Sequence, residues 1–177
     1  MPSGKTHDLI TLLLATPTFG VAWALTESVA LAGIVTGATL FGGFMFGPDL
    51  DILSRQYTRW GVFRFIWFPY RVVFRHRSRW SHGILFGTLI RVCYFAGMLT
   101  VIASVAVYLR AVLMAGRMPP GWDDVAHAWL SIESGIAGLG VGRSAAWAVL
   151  FGLWWGSASH TLTDVGWSVI RKASEIF

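Results

Sequence analysis

Two uncharged apolar runs, residues 9–25 and 28–46, follow each other with only Thr26 and Glu27 between them. A helix that crosses the hydrocarbon core of a bilayer needs roughly 20 apolar residues, with about 17 as a lower limit. The pair therefore reads as a tight transmembrane hairpin, its first member marginal in length and interrupted by Pro17. A third run, residues 83–109, carries a single charge at Arg91. A fourth starts at Ser144 and reaches spanning length only if it continues through His160 and Asp164 to Trp167. The chain is 55% hydrophobic and only 13% charged, roughly half the charge of a soluble domain, so these runs do not read as a soluble core. The expected fold is all-α and polytopic: one membrane domain over residues 1–177, with about four transmembrane helices at 9–25, 28–46, 83–109 and 144–167. Gly33, Gly37, Gly42 and Gly43 in the second run would let helices approach closely.

Lys5, the first apolar run and Ala22-Trp23-Ala24 imitate a cleavable signal peptide. The second apolar run that follows at once argues against that reading. The lone cysteine, Cys93, sits in an apolar run, so no disulfide framework or cysteine zinc site is expected within one chain.

Residues 47–82 separate the second and third runs and hold Arg55, Arg59, Arg64, Arg71, Arg75, Arg77 and Arg79 against Asp49 and Asp51. The positive-inside bias places this loop in the cytoplasm. Both termini then fall on the same side, and residues 110–143 form the external loop, with a short surface helix at 122–130. The formal charge of +5 suits membrane lipids with anionic head groups better than nucleic acid, for which no binding motif is present. Within the loop Trp60, Phe63, Trp67, Tyr70 and Phe74 recur at helical spacing, with Arg64, Arg71 and Arg75 along the edge. That pattern predicts an interfacial segment, bent at Pro69, with rings in lipid and guanidiniums among phosphates.

The same topology gathers the ionisable groups. His7 and Asp8 precede the first run, Asp49 and Asp51 end the second, His76 and His82 precede the third, and His160 and Asp164 end the fourth. All fall at the cytoplasmic face, although the topology was argued from arginines and run lengths alone. His160 and Asp164, one helical turn apart, suit a two-ligand clamp, but an ordinary hydrogen-bonded pair has the same spacing. Asp49 and Asp51 point to one side if the segment is extended and diverge if Pro48 starts a helix. Thr6 or Asp8 is a candidate N-cap for the first helix and Ser81 for the third. Arg91 could snorkel outward or reach the same site and bind an anion. His127 lies apart in the external loop. Nitrogen and oxygen donors without cysteine fit Zn²⁺ best, with Mn²⁺ or Fe²⁺ as alternatives, and the surplus of donors suits two ions bridged by a carboxylate.

Gly4-Lys5-Thr6-His7-Asp8, Phe46-Gly47-Pro48-Asp49-Leu50-Asp51, His76-Arg77-Ser78 with Ser81-His82, and Ser159-His160-Thr161-Leu162-Thr163-Asp164, in this order, resemble a family of membrane proteins described only as metal-binding. The layout is more distantly similar to the inner-membrane-associated metal-dependent hydrolases, and faintly to zinc-dependent phospholipase C. The resemblance implies a multi-pass protein of bacterial inner-membrane type with His7, Asp49, Asp51, His76, His82, His160 and Asp164 as metal ligands. It also points to hydrolysis of a lipid or other phosphoester; at such a centre Asp49 is expected as ligand or general base, Arg77 or Arg79 as a phosphate clamp and Arg91 as a further anion-binding group. A non-catalytic metal-binding role, structural, sensing or delivering, stays open beside it. Transport is less attractive because the ligands cluster at one face. Oligomeric state is left open by the sequence.

Overall fold

A computed structural model describes residues 2–74, 76, 78–137 and 142–174. Every regular element among them is helical. The chain divides into two compact units, one of Met1–Cys93 with Arg143–Phe177 and one of Tyr94–Gly142.

In the first unit α1 (Gly4–Thr26) and α2 (Val29–Met45) form the expected hairpin. Glu27 turns the chain in the left-handed region (φ 51°), and the Ser28 hydroxyl caps α2 by accepting from the Leu31 N–H. Ser3, rather than Thr6 or Asp8, caps α1; Asp8 is drawn instead to Arg55 and Arg59. The long helix α8 (Arg143–Ser174) runs unbroken through His160 and Asp164 and packs most extensively on α2.

Glycine sets that approach. A Cβ on Gly42 would sit 2.7 Å from the Leu153 carbonyl oxygen, and one on Gly156 would enter the Thr39 carbonyl. Backbone-to-backbone contact of this kind is open only to the smallest residues. Gly33 and Gly37, expected to share this role, have nothing within reach. At the other end of the bundle Ala22, Ala32, Val35 and Ala148 make a small apolar core.

Helices Gly4–Thr26, Val29–Asp51 and Phe86–Ala115 are each long and apolar enough to cross a membrane. The fourth expected span is present as α8, but Ser157, Ser159, His160, Thr161, Thr163 and Asp164 make its centre too polar to stand with the other three on length and apolarity.

Between α2 and α6 (Phe86–Ala115) the chain makes short elements: a 3₁₀ turn at Pro48–Asp51, α3 (Arg55–Thr58), a 3₁₀ stretch at Gly61–Trp67, α4 (Phe68–Val73) and α5 (Arg79–His82). Most of the aromatic stripe turns inward, where the spacing predicted an outward face. Trp67 and Tyr70 are fully buried, and Phe46, Trp60, Trp67, Tyr70 and Phe74 pack edge-on or tilted in an inward chain. Phe63 of the stripe stays outside, together with Val62, Phe65, Phe68, Val72 and Val73. A 3₁₀ stretch repeats every three residues, so the change of helix type at Phe68 turned the face that a uniform α-helix would present. Arg71 lies over the Tyr57 ring, 4.5 Å from its centroid; Arg75 is outside the described residues.

In the second unit α7 (Trp122–Ala137) is longer than the surface helix expected at 122–130. Its Ala128 packs on Val107 and Ala111 of α6. His127 belongs to this unit.

Candidate metal centre

His7 lies in the first turns of α1 and is buried. Asp49 and Asp51 come from the 3₁₀ turn that Pro48 opens, its fixed φ suiting the first helical position. The segment is thus a helical turn and the extended alternative is overturned, yet both carboxylates reach His82, Asp49 Oδ1 at Nε2 and Asp51 Oδ2 at Nδ1. Asp49 is anchored by its backbone: its N–H donates to Gln56 Oε1 (3.1 Å) and its carbonyl accepts from the Ser54 hydroxyl (2.7 Å). His82 ends the single turn of α5, where Ser78 Oγ accepts from the Ser81 N–H. Ser81 therefore sits inside that turn and does not cap the third span, which begins at Phe86.

These segments bring the imidazoles and carboxylates together in two lobes. In one, His7, His160 and Asp164 have ligand atoms within 4.8 Å of one another; in the other, Asp49, His76 and His82 do. Asp49 faces both, with Oδ1 3.4 Å from His82 Nε2 and Oδ2 3.5 Å from His160 Nε2. His7 Nε2 lies 3.3 Å from Asp164 Oδ1.

The separations fit a metal better than hydrogen bonds. Among the described residues, Nε2 of His82 is buried without a hydrogen-bond partner, which costs roughly 1–3 kcal/mol. Two donors held about 2.0–2.2 Å from a tetrahedral ion stand about 3.3–3.6 Å apart, the spacing seen between His7 and Asp164 and between His82 and Asp49.

Asp51 has a different place. Its side chain is wholly buried, Oδ1 accepts from His76 Nδ1 at 2.9 Å, and Oδ2 lies 3.7 Å from His82 Nδ1. A carboxylate behind an imidazole holds the hydrogen on Nδ1 and frees Nε2 as a lone pair for a metal. Asp51, expected as a ligand, stands behind two histidines whose rings meet edge-on at 84°.

Arg91 is fully buried, donating to the Ser81 carbonyl (2.5 Å), to Thr88 Oγ1 (3.2 Å) and to Ser157 Oγ. It binds α5 to α8 from below the centre and does not snorkel outward. Beside it Tyr70 is buried, and burial pushes its phenol up against the pull of the Arg91 charge. Arg77 is outside the described residues, as is the side chain of Arg79, whose backbone starts α5. Asp8 lies away from both lobes, taking two hydrogen bonds from Arg59 at 2.8 and 2.6 Å.

Sequence reasoning missed Gln56. Its buried amide touches Gly43, Asp49 and His160 at once. The one trace it leaves is Gly47, where a Cβ would collide with the Gln56 side chain.

No solved structure matches the chain. A protein of Aquifex aeolicus (strain VF5), itself described as an uncharacterized protein, is 41% identical over 56 residues, which are 31% of this chain and 39% of that relative's length. A family model described as an uncharacterized metal-binding protein matches residues 2–174, nearly the whole length and every segment that feeds the two lobes. The chain belongs to this family of uncharacterized metal-binding proteins, DUF2227.

Proposed function

We propose that the protein is a membrane-embedded, metal-dependent hydrolase of a lipid or other phosphoester, working at the cytoplasmic interface. The observation that carries the metal part is the meeting of imidazoles and carboxylates in two groups, each with ligand atoms within 4.8 Å of one another. In this reading Asp49 would help to hold the metal, Zn²⁺ by the chemistry of the donors, with Mn²⁺ or Fe²⁺ compatible. His76 and His82 complete the loop lobe, with Asp51 behind them. His7, His160 and Asp164 line the helix lobe.

Membrane embedding is supported by the apolar side chains that α1, α2 and α6 leave bare, among them Leu12, Leu13, Leu25, Val29, Val101 and Leu109. A water-soluble monomer rarely exposes continuous apolar surface of this extent. The arginines of residues 47–82 orient the loop, and with it both termini, toward the cytoplasm.

The centre is closed on one side and open on the other. His7, His160 and Asp51 are buried, while the side chains of Asp49 and His76 keep 26% and 33% of their exposure. An open rim suits a reactive site, since structural sites are closed by protein ligands. When bound, such ions act as Lewis acids and acidify water at neutral pH. Around that chemistry the chain would hold Asp49 in register through Gln56 and Ser54. Arg77 and Arg79, adjoining the rim in sequence, would gather the phosphate. The described side chains do favour one second reading. Four separate chain segments meet at the centre, so a metal there would also staple the short elements of residues 47–82 to the helices.

Elemental analysis of the purified protein, beside His82→Ala and Asp164→Ala variants, tests the binding. Bound transition metal that falls in both variants is the expected result, and unchanged content in both would sink the site. A phosphodiesterase and phosphomonoesterase screen on the metal-replete protein tests the reaction. Inactivity on every lipid and soluble ester would leave the stapling role.

A further inference from the structure

What stands behind each imidazole decides what that imidazole offers in front. Behind His76 stands a carboxylate, and behind His82 stand Ser81 Oγ at 3.0 Å and the same carboxylate. All of these can accept a hydrogen from Nδ1. Behind His160 stands Gln56 Nε2, 3.2 Å from Nδ1.

The orientation of that amide follows from its other neighbours. Gln56 Oε1 accepts from the Asp49 N–H, and Gln56 Nε2 donates to the Gly43 carbonyl at 2.8 Å. Turning the amide over would set N–H₂ against N–H and carbonyl against carbonyl, both in a buried place. Gln56 therefore points a donor at His160 Nδ1, which must present its lone pair. The hydrogen of a neutral ring is then on Nε2, the atom that faces Asp49 Oδ2 and, at 3.8 Å, Asp164 Oδ2.

A second observation is independent of the amide. The rings of His7 and His160 are stacked, with centroids 3.7 Å apart and planes 8° from parallel. Imidazole nitrogens bind metals along in-plane lone pairs. An ion in the plane of one of these rings lies nearly a full stacking distance out of the plane of the other. The two rings cannot both ligate one ion well. His7 Nδ1 has no partner that dictates its hydrogen, so His7 is free to offer a lone pair from Nε2.

We propose that His160 is not a ligand but an N–H donor, its tautomer set by Gln56, which holds the Asp49 and Asp164 carboxylates for the ions that His7 and the loop histidines ligate. His160 is thus a positioning residue, and the inference rests on the metal-binding reading above.

The decisive measurement is the tautomer itself, read from long-range ¹H–¹⁵N correlations of the ¹⁵N-histidine-labelled protein in detergent micelles, with the His160 signals identified by their loss in His160→Gln. An Nε2–H ring is expected, and an Nδ1–H ring would overturn the proposal. Gln56→Glu, which can only accept, should move the hydrogen to Nδ1.

Zinc binding by equilibrium dialysis supplies the second arm. His160→Gln, which keeps an N–H donor, should hold zinc within about threefold of the wild type, while His7→Gln should weaken it by about tenfold or more. Equal losses in the two variants would overturn the proposal. A wild type that binds no zinc, manganese or iron would defeat the metal reading instead, and the tautomer measurement would still decide the role of His160.

Discussion

The two lobes of the centre are made of different material. The helix lobe takes His7 from α1 and His160 and Asp164 from α8, all on long helices whose mutual approach is fixed by glycine contacts. The loop lobe takes Asp49, His76 and His82 from short elements, tied to the long helices by the side chains of Arg91 and Gln56, and one buried carboxylate, Asp51, stands behind its histidines. Scaffold rigidity positions the first set; hydrogen bonding from behind positions the second. If this is right, the two lobes fail separately when their own supports are removed.

The largest effect is expected from Gly156→Val. The new side chain has no room against Thr39 of α2, and because the obstacle is backbone, the cost should exceed the ~1–3 kcal/mol typical of overpacking. Pushing α8 away removes His160 and Asp164 from Asp49, while Asp49, His76 and His82 remain on segments outside α8. Zinc per chain should fall toward half that of the wild type. Loss of all zinc would show that the loop lobe cannot form without α8, and the contrast between the lobes would break.

Asp51→Asn tests the other side. The amide keeps the volume but can turn a donor toward His76 Nδ1, spoiling the tautomer that frees Nε2. Replacing such an orienting carboxylate typically costs 10–100-fold in metal affinity, and the loss should appear in one class of sites, with the other unchanged in a two-site titration.

The same contrast explains what could be read from the sequence. The hairpin, the third long apolar helix and the meeting of His7, Asp49, His76, His82, His160 and Asp164 were legible because apolar run lengths put all of these residues at run ends before any contact is known. The role of Asp51 was not, since a carboxylate two residues from another looks like a ligand in either place. The aromatic stripe was misread because spacing alone does not distinguish a 3₁₀ stretch from an α-helix at Gly61–Trp67. Gln56 was invisible for a simpler reason: its meaning lies in partners at Gly43 and His160, 13 and 104 residues away in the chain.

Gln56→Ala should cost less than either change above, and mainly in stability. It leaves the Asp49 N–H and the Gly43 carbonyl without their partner, each worth roughly 1–3 kcal/mol if water does not replace the amide. Thermal unfolding in detergent should shift downward. Since Gln56 touches His160 and Asp49 but not His76 or His82, zinc affinity of the loop lobe should change less than in Asp51→Asn. A larger loss there would mean that Asp49 is held chiefly from its backbone, and that the loop lobe depends on Gln56 as much as on Asp51.

The smallest effect is expected at Asp8, the one acidic residue of α1 that serves neither lobe. Its carboxylate ties α1 to α3 through Arg59 and, at 3.0 Å, Arg55. The pair is charged and two-pronged, yet all three side chains keep contact with solvent, Arg55 with 52% of its surface. Partly exposed pairs of this kind contribute about 0.2–1 kcal/mol. Asp8→Asn should therefore lower stability by no more than about 1 kcal/mol, and the difference should vanish near 1 M salt, where the screening length is about 3 Å. Metal content is the sharper readout. His7 is the neighbour of Asp8 on α1, so a loss of zinc from the helix lobe alone would show that this lobe also needs support from outside its helices. Unchanged content would leave glycine packing and the Gln56 contact to His160 as its organisers.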